Sequence, residues 1–110
     1  MTYINPRPQH PNTQTDVTAT RAIDGTVYHN TLSFSKMVTI TLISSAASLN
    51  TAQANCDNAV SPSTLVAQFQ QNATVAGGRG SLTFIVLPGY YYSVLVGGGS
   101  MTLQSWIEWS

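Results

Sequence analysis

Asp24, His29 and a generous supply of serines are the residue types of a hydrolytic triad, in which an acid orients an imidazole that activates a hydroxyl. No Gly-x-Ser-x-Gly elbow or comparable setting presents one of those serines as a nucleophile. His29 follows Tyr28 in an alternating run, where a hydrogen-bonded strand histidine is the simpler reading. Asp24 and Glu108 remain open as a carboxylate pair for glycoside hydrolysis, which requires two carboxylates converging across a cleft. His10, His29 and Cys56 are isolated from one another, and Asp16, Asp24, Asp57 and Glu108 are scattered singly, so no metal or other cofactor is implied. The run Gly77-Gly78-Arg79-Gly80 lacks the Gly-Lys-Ser/Thr ending of a phosphate loop and leads into a strand, so it reads as a turn. Asn72-Ala73-Thr74 matches the glycosylation sequon, but with no sign of secretion the match is read as chance. The expectation is a protein that is not an enzyme and carries no cofactor.

What must position these side chains is a single small domain, because 110 residues support one core and no second. Charged residues are 7% of the chain, well under the roughly 25% of an ordinary soluble domain, and the formal net charge is +0. The surface is therefore neutral and polar, rich in Ser, Thr, Asn and Gln. Nucleic acid and anionic membrane are both disfavoured as partners, since Arg7, Arg21, Lys36 and Arg79 are the whole cationic complement. No apolar stretch approaches the roughly 20 residues of a spanning helix. The polar N-terminus has no h-region of a secretory signal. Cys56 is the lone cysteine, so it forms no intrachain disulfide and reads as a small buried hydrophobe.

Residues 1–16 interleave Pro6, Pro8 and Pro11 with Asn5, Arg7, His10 and Asn12, a composition that favours extended, solvated backbone. They form either a disordered tail or an arm that becomes ordered by lying over a neighbouring subunit. Residues 17–110 carry short β-prone runs separated by turn residues. Lys36 to Ser44 places Val38, Ile40 and Leu42 on one face, and Ser81 to Leu87 does the same with Leu82, Phe84 and Val86. Thr26 to Asn30, Leu65 to Gln70, Tyr90 to Val96 and Met101 to Trp109 supply further runs. Ala46 to Cys56 is read as a strand, with a short helical turn through Leu49 to Ala54 as the alternative. Pro88-Gly89 reads as the turn of a hairpin joining Ser81–Leu87 to Tyr90–Val96. The total of about seven or eight strands fits an antiparallel β-sandwich, jelly-roll or immunoglobulin-like, with a small barrel as the alternative.

Tyr90, Tyr91 and Tyr92 are consecutive in a strand, so at least one ring must face outward whichever face is buried. Trp106 and Trp109 fall on opposite faces of the last strand and raise the same question. Rings with a polar tip suit protein interfaces and sugar-binding surfaces alike, unless both sheet faces are covered within the monomer. These five aromatics are the candidate oligomer or partner interface. Tyr3, Ile4, Pro6, Arg7 and Pro8 are the candidate anchoring residues of the arm.

The order Gly25-Thr-Val-Tyr-His-Asn-Thr31, the strand Met37 to Leu42, the run Phe84 to Tyr92 and the ending Leu103 to Trp109 resembles small β-sandwich domains of tailed-phage virion proteins. Such domains are best known at the ends of tail fibres, and the resemblance spans about Arg21 to Trp109. It departs from them at Leu32 to Lys36, where a Gly-Lys-Pro-like turn is usual, and at Leu87, where a second proline is usual. A chain beginning at Met1 with a short arm looks more like a capsid decoration or minor capsid protein than a fibre tip. The resemblance thus implies a virion protein assembled in the host bacterial cytoplasm. Its partners would be further copies of itself, as a trimer, and the major capsid protein or other virion proteins gripped by the arm. A receptor-binding tip that recognises a host surface glycan or protein is the competing implication. Sheet edges guarded only by Lys36, Arg79 and Glu108 favour association into a closed ring.

Overall fold

The computed structural model describes residues 13–46, 48–73, 75–98 and 100–110. Eight strands follow in chain order: β1 (Gln14–Asp16), β2 (Tyr28–His29), β3 (Lys36–Ser44), β4 (Ser48–Asp57), β5 (Leu65–Ala73), β6 (Arg79–Val86), β7 (Tyr91–Gly98) and β8 (Met101–Trp109). A single 3-10 turn, Thr18–Thr20, lies between β1 and β2. One sheet has the order β1-β8-β3-β6 and the other β2-β7-β4-β5, with every pairing antiparallel. Within these sheets first pairs with last, second with seventh, third with sixth and fourth with fifth. The chain is one long antiparallel ribbon, doubled back at the β4–β5 turn and wrapped into two layers, which is the jelly-roll order. The expected antiparallel β-sandwich is what forms, and the strand order selects the jelly-roll over the immunoglobulin arrangement. Ala46–Cys56 is strand, as expected, over Ser48–Asp57. β1 also brings residues 14–16, assigned by composition to the arm, into the first sheet, where Gln14 faces Trp109 and Asp16 faces Ile107.

The core follows from period-2 alternation. Val38, Ile40 and Leu42 on β3 and Leu82, Phe84 and Val86 on β6 turn inward from the first sheet. Ala52, Ala54 and Cys56 on β4 with Tyr92 and Val94 on β7 meet them from the second. The small β4 side chains leave the volume that the rings of Tyr92, Phe84 and Trp106 fill, at tilted or edge-on angles and centroid distances of 6.2 to 6.5 Å.

Two local features override the simple alternation. β8 carries an extra residue opposite Thr41 and Leu42, because Thr41 pairs with Ser105 but Leu42 pairs with Leu103. This bulge at Gln104 reverses the facing of the strand, so Met101 is buried at one end, while Trp106 and Glu108 are buried at the other.

The second feature corrects the hairpin expected at Pro88-Gly89. The turn itself forms, with the Tyr90 amide donating to Leu87 O at 3.0 Å and Gly89 at φ +79°. It joins β6 of one sheet to β7 of the other, not two paired strands. Pro followed by a positive-φ glycine makes a type II turn, whose twist splays the flanking strands instead of pairing them. Asn30, fully buried, pins this corner. Its Nδ2 donates to Phe34 O, Val86 O and Leu87 O at 3.1 to 3.2 Å, its backbone N–H donates to Tyr90 O, and its carbonyl accepts from Gly89 N. Asn50 does the same at the other end of the sandwich, donating to Ser44 Oγ at 3.3 Å and accepting from Ser100 N at 2.9 Å.

Candidate functional site

Among the titratable side chains the densest cluster surrounds Glu108, which is 4% exposed. Its carboxylate accepts from Tyr92 Oη at 2.6 Å, Lys36 Nζ at 2.9 Å, Trp106 Nε1 at 3.1 Å and Arg21 Nη2 at 3.3 Å. The Arg21 guanidinium lies over the Tyr28 ring, 4.5 Å from its centroid. Burial pushes the Glu108 carboxyl upward, but the Tyr92 hydroxyl, the Lys36 ammonium and the Arg21 charge together outweigh it and hold it below the usual range. Burial and the facing carboxylate raise the Tyr92 phenol strongly. Both carboxylate oxygens of Glu108 are thus engaged, and the group serves as a tie between β3, β7, β8 and the segment carrying Arg21.

The two carboxylates left open above lie in different settings. Glu108 faces the core under Tyr92 and Trp106, whereas Asp24 is exposed and accepts from Thr26 N and Thr26 Oγ1 at 3.1 and 2.5 Å. His29 is exposed and lies flat on Tyr91, centroids 4.0 Å apart and planes 7° from parallel, so it is a stacked surface histidine. Among the described residues no hydrogen bond or ion pair joins Asp24 to His29. No group of three His, Cys, Asp or Glu able to hold a metal occurs among the described residues. Cys56 is buried and free, its thiol pushed up to about 11 by burial and by neighbouring Asp57.

The five candidate interface aromatics divide sharply. Tyr92 and Trp106 are fully buried in the chain's own core, so neither presents a surface to a partner. Tyr90 packs partly against that core and Tyr91 lies under His29. Trp109 lies on the outer side of the first sheet in a cross-strand row with Met37 and Ile85. Tyr3, Ile4, Pro6, Arg7 and Pro8 lie outside the described residues. Lys36 and Glu108 are not edge guards: they pair with each other inside the sandwich, on a central strand and on a strand covered by β1.

The sheet edges themselves are asymmetric. On one side each sheet ends in a very short strand, β1 of 3 residues and β2 of 2, a common way to blunt an edge. On the other side the sheets end in β5 of 9 residues and β6 of 8. These two lie together, with Gln71 Nε2 donating to Arg79 O at 2.9 Å. A Cβ on Gly80 would collide with Phe69, 2.6 Å from its Cζ. β5 contains no charged residue, and the single charge of β6, Arg79, donates its Nε to Gln104 at 2.8 Å. Leu65, Val66, Ile85 and Leu87 are 42 to 53% exposed along this flank. They are the residues that sequence reasoning missed, because alternation alone does not tell an edge strand from a central one.

Comparison with protein-family models, with curated proteins and with solved structures found no match for this chain.

Proposed function

We propose that this chain is a non-enzymatic structural protein of a bacteriophage virion, a capsid decoration or minor capsid protein that works as a homo-oligomer. The observation that carries the reading is the open β5/β6 flank. Two long edge strands with unpaired backbone groups, one charge between them and four exposed aliphatic side chains form the kind of edge that soluble monomers avoid. A second copy suits it best, since an edge with a single charge fits a partner that carries few, and charged residues are 7% of this chain. A closed trimer would hide three such flanks at once. The jelly-roll order also recurs in viral capsid domains, which supports the reading by analogy of fold. Thr13 and Ser110 exchange backbone hydrogen bonds of 2.8 and 2.9 Å, and residues 1–12, which precede Thr13 in the sequence, are the segment proposed to grip the shell. Gold-labelled antibody against residues 14–110, applied to intact particles of the phage that encodes the chain, tests the assignment. Label over the shell, lost when residues 1–12 are deleted, is the expected result. Label at fibre tips, or none on particles, overturns it.

A further inference from the structure

The outer face of the second sheet holds a depression of about 290 Å³ lined by Thr51, Gln53, Gln68, Gln70 and Gly97, with the inward-turned pair Ala52 and Phe69 beneath. A bulge makes it. Thr51 pairs with Gly98 and Ala52 with Val96, so Gly97 is an extra residue in β7, and bulges of this kind re-aim side chains and commonly border binding sites. A Cβ at Gly97 would lie 3.0 Å from Thr51 Oγ1, so the glycine is what leaves that hydroxyl uncovered. Cross-strand register then sets Gln53 opposite Gln68 and Thr51 opposite Gln70, four polar side chains rising from two adjacent strands.

None of these four side chains is used inside the protomer: no hydrogen bond joins the Thr51 hydroxyl or the three amides to another described residue. Their inward-facing neighbours Asn50 and Gln71, by contrast, are engaged with Ser44, Ser100 and Arg79. We propose that this depression binds a neutral glycan, one or two sugar units long. Amides and hydroxyls each donate and accept, as sugar hydroxyls do, and so match a ligand whose every substituent has the same dual character. No charged residue lines the site, which disfavours an anionic or cationic ligand. The volume sits at the low end of small-ligand pockets, roughly 300 Å³. The site lies on a sheet face, not at an edge, so it offers a peptide no backbone ladder to extend. It shares β5 with the β5/β6 flank but opens on the outer face of the sheet and not along the strand edge, and the proposal does not rest on the assembly reading.

The test is an amide-resolved NMR titration of the full chain with neutral trisaccharides of glucose, galactose, mannose and N-acetylglucosamine, and with sialyllactose as a charged control. At least one neutral sugar is expected to shift the side-chain amide signals of Gln53, Gln68 and Gln70. Gln68→Ala and Gln70→Ala, both at exposed positions, should each weaken that binding about three- to tenfold, one lost hydrogen bond apiece. Gly97→Ala should abolish it by covering Thr51. Absence of any shift with every neutral sugar, or equal binding of sialyllactose, would overturn the proposal.

Discussion

Replacing Glu108 by glutamine keeps the side chain's shape and removes its charge. Glutamine offers one carbonyl to donors that now include Tyr92 Oη, Trp106 Nε1, Lys36 Nζ and Arg21 Nη2, and it turns a donor of its own toward them. Hydrogen bonds to a charged partner contribute about 1.5–3 kcal/mol each, and removing one member of a buried ion pair costs about 3–5 kcal/mol. Arg21 and Lys36 retain 17% and 15% side-chain exposure, so water takes up part of their lost partner. A loss of about 3 kcal/mol is therefore expected for Glu108→Gln, a large part of the 5–15 kcal/mol of a typical domain. For a domain near 100 residues that corresponds to a Tm lower by about 12–24 °C. The pH dependence carries a further signature. Because the folded carboxyl is held below its unfolded value, its stabilisation is fully present above the ordinary carboxylate range and is lost as pH falls through the depressed value. Thermal and urea unfolding followed by circular dichroism, at neutral pH and down an acid series, measures both. A loss under about 1 kcal/mol at neutral pH, or an acid profile unchanged by the substitution, would refute the assignment of Glu108 as the central tie.

Tyr92→Phe removes only the hydroxyl that donates to Glu108, and urea unfolding should show a loss of about 1–3 kcal/mol with an unchanged m value. Gly80→Ala would press a methyl onto the Phe69 ring, so a destabilisation of about 1–3 kcal/mol is expected, relieved in part by Phe69→Leu, as a urea double-mutant cycle would show. Asp57 accepts from Ser63, Ala59 and Thr64 backbone amides, which lower its carboxyl to about 2; stability supplied by this loop is present above the unfolded carboxylate range and lost as pH falls toward 2, and Asp57→Asn should flatten that part of the acid profile. The Cys56 thiol, buried and pushed up to about 11, should react with a thiol reagent only as fast as the protein opens, so its labelling rate should rise with urea in step with unfolding.

The layers of this fold were legible in the sequence where side-chain alternation ran through a strand without interruption. Val38, Ile40 and Leu42, and likewise Leu82, Phe84 and Val86, read correctly as inward faces because both of their strands run without a bulge through the core-facing stretch. Pro88-Gly89 shows the limit of local reading: its turn chemistry is plain, yet which sheet each flanking strand joins is decided by the wrapping of the whole ribbon and by Asn30. Met101 to Trp109 shows another, since one extra residue at Gln104 switches the buried set and takes Trp106 into the core while leaving Trp109 outside. Glu108 read as a surface charge because a lone carboxylate in a strand ordinarily is one, and the cations that hold it are 72 and 87 residues away in the chain. The open flank and the Gly97 depression depend on register between strands far apart in sequence, which composition does not reveal.

The central claim, that the charge-poor β5/β6 flank is where copies of this chain meet, is tested most directly by the absolute mass in solution. Light scattering of the full chain across a range of concentrations is compared with that of Val66→Lys and Ile85→Lys, two exposed positions on that flank. The account predicts a stable oligomer for the unaltered chain and folded monomers for both variants. A monomer for the unaltered chain at every concentration, or an oligomer that both lysines leave intact, would contradict it.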